Sequence, residues 1–487
     1  MNHVFDDLRF PRPRRRKSPF LAHFWAAVAS ALFSGGFAPA ARAQAPPVAT
    51  EAAAAVPATK TPDEPARSEA GTLQGDLGLG PEWSVSTQST YVDQFHYSFP
   101  SAYEGPNSFR SESDEEHTFS LSMFLGRRLW EGSELFYDPE FFQGHGLSST
   151  VGIAGFPNGE AVKAGYANLH YNTSRLFIRQ VFGFGGGKES LDADPRQFAG
   201  DEDVNRLVFS VGAFSADDFF DDNAFSHDAR AQFMNWALWE CAAWDYPANS
   251  TGFTDGAVVE WNSQDTTWHY GIFMEPMEAN GARLDFHLEE AHGQVLQFDY
   301  RYPAGSSRGT IRTFVFWNQA HMGSYAEASS QPYPEDVILT RSYRSKVGFG
   351  SSWDQQLSEN VGAFARASWN DGRTESFTFT EIDRSIAAGL SLAGKPWGRA
   401  SDTMGFALAA NGLSADHRRY LEEGGTGLIL GDGALSYSPE EIVEAFYMFK
   451  PWHSFQIGPD FQYIRNPGYN SARGPVPVYA IRMHAEY

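Results

Sequence analysis

Residues 441–487 read EIVEAFYMFKPWHSFQIGPDFQYIRNPGYNSARGPVPVYAIRMHAEY, and their alternation decides the fold. Up to residue 450, Val443, Ala445, Tyr447 and Phe449 form one phase and Glu444, Phe446, Met448 and Lys450 the other. After Pro451 the pattern resumes, with Ser454, Gln456, Gly458, Asp460 and Gln462 alternating with Phe455, Ile457, Pro459, Phe461 and Tyr463. A polar turn at 465–474 leads to a last run, in which Val478, Ala480, Arg482, His484 and Glu486 alternate with Tyr479, Ile481, Met483, Ala485 and Tyr487. A period of two marks strands with two different faces. Runs of about ten residues exceed the five or six usual in soluble sheets and suit strands tilted across a bilayer. The fold read from them is all-β, a transmembrane antiparallel β-barrel with apolar side chains toward lipid and polar ones toward the lumen.

The rest of the 487-residue chain agrees. Outside the N-terminus no run of about 18 apolar residues occurs, which excludes helical membrane spans, whereas barrel strands need only alternate apolar residues. The 13 Trp, 20 Tyr and 40 Phe suit interface girdles, and the 46 Gly suit tight turns. Residues 1–43 read as a secretory signal: Arg12, Arg14, Arg15, Arg16 and Lys17 form a basic region, 20–33 an apolar one, and Ala41-Arg42-Ala43 a cleavage site. The Arg14-Arg15 pair only loosely resembles a twin-arginine signal, since a barrel must cross the inner membrane unfolded. Removing seven basic and two acidic residues with that segment takes the formal charge from −23 to about −28, which excludes electrostatic binding of nucleic acid. Residues 44–76 are rich in Ala, Pro, Thr and Glu without periodicity and read as a disordered linker, leaving 77–487 for the barrel. The single cysteine, Cys241, provides no disulfide framework.

Strands are predicted at 82–96, 117–130, 133–142, 169–182, 204–214, 256–262, 266–275, 294–302, 310–318, 342–353, 360–370, 380–392, 403–411, 441–450, 452–464 and 476–487, sixteen in all. Counting from the first, the connections that should face outward (97–116, 143–168, 215–255, 319–341, 412–440) are long, and those that should be periplasmic (131–132, 263–265, 303–309, 354–359, 393–402, 451) are short, as outer-membrane barrels require. One connection, 183–203, is long where it should be short, which predicts an insertion or a local miscount. Strand phase turns Trp268, Tyr270, Ile272 and Met274 outward against His269, Gly271, Phe273 and Glu275, and Leu296, Phe298, Tyr300 and Tyr302 outward against Gln297, Asp299 and Arg301. Arg384 falls on the outward phase and is read as snorkelling at the outer rim.

The stretch from Trp452 to Asn470, then Arg473-Gly474-Pro475-Val476 and the terminal Arg482-Met483-His484-Ala485-Glu486-Tyr487, resembles the end of the carbohydrate-selective outer-membrane porins, the OprB-type family. The resemblance returns in Leu129-Trp130-Glu131-Gly132-Ser133, in Gly155-Phe156-Pro157-Asn158-Gly159-Glu160, in Gly212-Ala213-Phe214-Ser215-Ala216-Asp217-Asp218, in Gln232-Phe233-Met234-Asn235-Trp236, in Asn370-Asp371-Gly372-Arg373-Thr374-Glu375, and in Gly424-Gly425-Thr426-Gly427. The terminal Tyr487 departs from the more usual Phe. Membership implies a passive sugar channel without cofactor, exported to a Gram-negative outer membrane. It implies mono- or oligosaccharides as permeants, contact with outer-membrane lipid and lipopolysaccharide, assembly by the barrel-assembly machinery, and a monomer or homotrimer. It also implies that an outer loop folds into the lumen and narrows it.

Residues 228–244 are predicted helical, because Ala231, Met234, Leu238 and Cys241 recur at helical spacing, and they lie in the 215–255 loop that the resemblance turns inward, the alternative being a helix packed on the outer mouth. Candidate channel-lining residues are Arg179, whose phase is ambiguous, Asp221 from that loop, and Arg366, Asp460, Gln462 and Arg482 from the lumen phase of their strands. Guanidinium forks and carboxylates suit paired sugar hydroxyls. Asp217, Asp218, Asp221, Asp222 and Asn223 could hold Ca²⁺, but lack the Gly and Glu placement of an EF-hand and read rather as a solvated acidic loop, so no metal is assigned. Gly183–Lys188 lacks phosphate-loop spacing and reads as a flexible turn. Glu375 and Glu381 as a glycosidase pair carry little weight among so many carboxylates. The leading function is a sugar channel. The alternatives are a general or anion-selective porin, a lipase-like barrel enzyme, for which no Gly-x-Ser-x-Gly appears, and a soluble binding module. A gated receptor of 22 strands with a plug would need a longer chain.

Overall fold

Alternation along each segment closes, in space, into a single antiparallel sheet without edges. The computed structural model describes residues 73–487, apart from 162–164, 306, 331–335 and 380. Its strands are β1 (Trp83–His96), β2 (Asp114–Trp130), β3 (Ser133–Gly144), β4 (Tyr166–Gly183), β5 (Lys188–Leu191), β6 (Gly200–Asp203), β7 (Arg206–Phe214), β8 (Thr254–Asn262) and β9 (Thr266–Met274). They continue as β10 (His292–Ala304), β11 (Ser307–Met322), β12 (Ser342–Ser358), β13 (Val361–Asn370), β14 (Arg384–Ala393), β15 (Thr403–Gly412), β16 (Glu440–Trp452), β17 (Phe455–Arg465) and β18 (Val476–Glu486). All but β5 and β6 belong to the barrel, in which each strand pairs with its sequence neighbour and β7 follows β4 directly. The sixteen expected strands are therefore the sixteen observed.

Closure rests on β1 and β18, in register from Gln88↔Glu486 to His96↔Val478. Beyond the strand end, Thr87 and Tyr487 exchange both backbone hydrogen bonds, at 2.7 and 2.8 Å. Since every barrel strand has two partners, the backbone polar groups of the sheet are satisfied internally, the condition for residing in hydrocarbon. No helix among the described residues is long and apolar enough to cross a membrane.

The outward phase is as expected. Trp268, Tyr270, Leu296 and Tyr300 are exposed, while His269, Phe273, Gln297 and Asp299 are buried. Exposed aromatics gather near the end where β1 begins and β18 ends, at Trp130, Phe182, Trp261, Trp268, Tyr300, Trp452 and Tyr487, and near the other end at Tyr97, Tyr171, Trp317, Tyr343, Trp369 and Tyr463. Between them the surface is Leu296, Val315, Val347, Ile386, Leu390, Leu408 and Ile481, an apolar band between two girdles. Arg384 is exposed at the start of β14 and donates to the Leu413 carbonyl, in keeping with a rim position.

The signal at 1–43 and most of the 44–76 linker lie outside the described residues. Leu73–Asp76 forms a helical turn (α1), so the last residues of the expected linker are ordered against β1. The connection that broke the loop-length rule is an insertion: β5 and β6 form a separate two-stranded hairpin between β4 and β7. The flexible turn expected at Gly183–Lys188 is its entry, held where Phe184 donates to Asn205 and Asn205 to Gly185. The strand expected from 380 begins at Arg384, and the Glu381 and Asp383 side chains just before it bind amides of the 413–439 loop.

Candidate permeation site

The 215–253 connection enters the barrel, and the strand walls are built to receive it. Phe233 meets Phe364 and Phe446 with ring centroids 5.3 and 5.0 Å apart, and Trp244 lies 5.0 Å from Phe314. The wall is cut back where the loop passes. A methyl group at Gly405 would collide with Phe446 and Phe233, and one at Gly350 with Phe314 and Cys241. Burial of Phe233, Trp236, Leu238, Cys241 and Trp244 makes this loop part of the core rather than a surface feature.

The helix expected at 228–244 is largely absent. Only Trp236–Trp239 (α2) is helical, capped by the Asn235 side chain. The spacing that suggested a helix reflects burial, and the backbone amides find partners outside the segment. Glu444 of β16 accepts from the Met234 and Asn235 amides at 2.6 and 2.9 Å, Asp221 from Cys241 at 2.6 Å, and Ser368 from Ala243 at 3.0 Å. A chain whose amides are satisfied by wall side chains needs no helical ladder. The longest helix among the described residues is instead Ala415–Glu422 (α4), which follows the single turn Tyr325–Ala328 (α3) in the chain, lies in the 413–439 outer connection and is begun by Ser414 accepting from the His417 amide.

Most of the expected channel-lining residues hold this loop. Arg366 pairs with Asp221 (Nε to Oδ2, 3.0 Å) and donates from Nη1 to the Leu238 carbonyl at 2.7 Å. Arg482 donates to Ala229 at 2.6 Å. Gln462 accepts from Asn235 at 2.8 Å and donates to Pro157 at 2.7 Å and to Asp460 at 3.2 Å. Asp221, Arg366, Asp460, Gln462 and Arg482 are all buried, and Arg482 also lies over the Phe446 ring. Arg179 faces inward, settling its phase, and pairs with Glu134 at 3.2 Å and Glu202 of the insertion at 2.9 Å. Sequence phase put these side chains on the lumen side but said nothing of what would meet them there.

The groups left partly open form a second set. Arg230 bridges Glu140 and Glu160, both at 2.7 Å, with 19% of its side chain exposed. Arg175 binds Asp218 at 2.7 Å and lies 3.6 Å from Asp138, and Arg196 shares Asp218 with 33% of its side chain exposed. Beside Arg230 the loop presents His227 and Trp239, 6.4 Å apart, neither fully buried. The Trp239 indole nitrogen is buried beside Gly159 without a hydrogen-bond partner. Reasoning from strand phase missed Arg175, Arg196, Arg230 and Trp239. Arg175 shares the phase of Arg179 and was within reach of that reading, whereas Arg196 and Arg230 sit on irregular backbone and Trp239 ends α2, all outside the barrel strands.

The acidic run is not solvated as expected. Asp221 and Asn223 are buried, and Asp218 is tied to two guanidinium groups, leaving Asp222 as the exposed carboxylate. Glu375 and Glu381 do not form a catalytic pair. Glu375 binds Arg341 at 2.7 Å, and Glu381 accepts from the Ile429 and Leu430 amides at 2.7 and 2.6 Å. Outside the barrel strands, His417 of α4 lies 3.0 Å from Asp383 and 3.5 Å from Glu381, stacked on Tyr325. Burial disfavours its charged form, but the attraction and hydrogen bond of Asp383, with Glu381 beside them, raise it to about 9.

The sequence pattern of the family described as carbohydrate-selective porin, OprB family, matches residues 107–487. No curated protein matches the chain. Among solved structures, OprB of Pseudomonas putida at high pH is 14% identical with a TM-score of 0.63, covering 84% of this chain and 94% of that one. The low-pH structure of the same protein is 11% identical (TM-score 0.48; 87% and 99% covered). The outer-membrane channel DcaP of Acinetobacter baumannii is 8% identical (TM-score 0.46; 83% and 97% covered).

Proposed function

Because the chain belongs to the OprB family of carbohydrate-selective porins, outer-membrane channels rather than enzymes, we propose that sugars cross it through the space that the 215–253 loop leaves open, past Trp239, His227, Arg230, Arg175 and Arg196. The observation that carries this reading is the arrangement around Arg230. A guanidinium held by Glu140 and Glu160 and a partly exposed tryptophan are carried by the same infolded loop. A pyranose offers hydroxyls to charged and amide groups and an apolar face to an aromatic ring, and this cluster supplies both.

Each guanidinium of the set has a carboxylate partner, so the eyelet has no dominant basic field. That balance favours a neutral polar permeant over an anion and sets aside the anion-selective alternative. Arg366, Asp221, Gln462 and Arg482 act here as positioning residues for the loop, and Asp460 supports Gln462. Since one chain closes its own barrel, each protomer carries a whole channel, as a monomer or within a homotrimer. Lipid and lipopolysaccharide meet the aromatic girdles and the apolar band, and β18 is the segment offered to the assembly machinery.

The test is block of single-channel ion current by a panel of mono- and oligosaccharides. Trp239→Ala should weaken block by about 1–2 kcal/mol, the value of one well-covered apolar contact, with open-channel current retained. Equal block in wild type and variant would move the sugar contact away from the 215–253 loop.

A further inference from the structure

The insertion between β4 and β7 does not hang below the barrel. Its strands are in register from Lys188↔Asp203 to Leu191↔Gly200. Its base is fixed to lumen-facing wall residues: Glu202 binds Arg179 and Arg206, each at 2.9 Å, and Glu189 binds Arg206 at 2.9 Å. Beyond the turn, Phe198 is buried against the inward-facing Phe136, 5.9 Å between centroids, and under the Arg128 guanidinium at 4.7 Å. At the tip Arg196 reaches Asp218, the residue that Arg175 binds from the wall. Arg175 lies eight positions before the end of β4, roughly 25 Å along the strand from the periplasmic rim. The hairpin therefore rises inside the lumen to the start of the 215–253 loop.

From this geometry we infer that residues 184–205 form a second constriction, entering from the periplasmic side, and that Arg196 is a specificity-determining residue where it meets the outer loop. Short periplasmic turns are the rule in outer-membrane barrels, and a turn of this length would gain nothing by burying Phe198 and pairing Glu202 with the buried wall residues Arg179 and Arg206 unless it filled space. The pore is then bounded from both ends. The outer loop supplies Asp218, Arg230 and Trp239, the insertion supplies Arg196, and the link between them limits how far either can withdraw. A permeant must pass Arg196, the most exposed guanidinium of the eyelet, after leaving Trp239.

This inference rests on the channel reading, and the experiment separates the two. Phe184 and Asn205 already face each other, so replacing 185–204 by Asn-Gly leaves a two-residue hairpin between β4 and β7. Wild-type protein in planar bilayers must first conduct, and failure there defeats the channel itself. Given conduction, the shortened protein should pass roughly twofold more current and lose preference among sugars of increasing size. Unchanged conductance and preference would overturn the second constriction. Should the deletion prevent assembly, Arg196→Cys serves instead, because Asp218 keeps Arg175 and the natural Cys241 is buried. A membrane-impermeant thiol reagent should lower the current of Arg196→Cys and leave wild type unaffected. Absence of labelling from both chambers, or a labelled channel that conducts as before, would overturn the inference.

Discussion

Arg366 of β13 and Asp221 of the infolded loop form an ion pair 3.0 Å long whose side chains are 2% and 0% exposed. Asp221 stands there with φ +57°, a left-handed conformation uncommon outside glycine. Its carboxylate also accepts from the Cys241 amide and its own amide donates to Gln297. One residue thus joins the descending limb of the loop, its returning limb and two strands, β13 through its carboxylate and β10 through its amide.

Removing one partner of such a pair leaves a buried charge uncompensated, at about 3–5 kcal/mol. Arg366→Ala should therefore lower the temperature at which the folded band converts to the unfolded one on a detergent gel. Adding Asp221→Ala should recover part of the loss, since the orphaned charge is gone. Equal losses in the single and double variants would show that the pair is not what holds the loop.

Deleting residues 228–239 removes Phe233, Met234 and Trp236 from the lumen together with Arg230 and Trp239. Single-channel conductance should rise, and the preference among sugars of different size should flatten. The barrel itself should persist, because no strand pairing involves the deleted segment. An unaltered conductance would place the constriction in the 145–165 connection, whose Gly155 and Phe156 also lie inside.

Deleting residues 481–487 strips β18 of the partners of β1 from Gln88 to Asp93 and those of β17 from Phe455 to Pro459. Two open edges would then face lipid, where unpaired backbone groups cost several kcal/mol each. The truncated protein should fail to reach the outer membrane. Wild-type levels in outer-membrane fractions would contradict closure by β1 and β18.

The His417 cluster predicts a change in the outer loops at alkaline pH. Its folded value near 9 exceeds the ordinary 6.5, so its contribution is full below about pH 6.5 and is lost as pH rises through about 9. Asp383, despite burial, is held below the usual carboxylate value by His417 and the Ser414 amide, so its contribution is lost only under acid conditions, as pH falls through that lowered value. Cleavage at Arg418 and Arg419 by a protease active at both pH values should be slow at pH 7 and faster at pH 10. Equal rates, after correction for protease activity, would sever the link between His417 and loop order.

The strand set was legible in the sequence because a barrel strand imposes a local rule. Lipid on one face and lumen on the other repeat every two residues, so Trp268, Leu296, Phe461 and Ile481 declare their side wherever the strand is placed. Loop length declared the sidedness of the turns and marked 183–203 as an insertion or a miscount, which the structure resolves as the β5–β6 hairpin. What the lumen contains is not local. Glu444 and Arg366 read as inward polar residues, yet their function depends on Met234, Asn235, Asp221 and Leu238, far away in the chain, arriving at the same height. The apparent helix at 228–244 failed for the same reason, since its amides are satisfied by wall carboxylates and hydroxyls that no local pattern could pair with them. Likewise, only the assembled barrel decided that Arg196 of the insertion and Asp218 of the outer loop meet. Alternation determines which face a side chain takes, and only closure of the sheet determines what it faces.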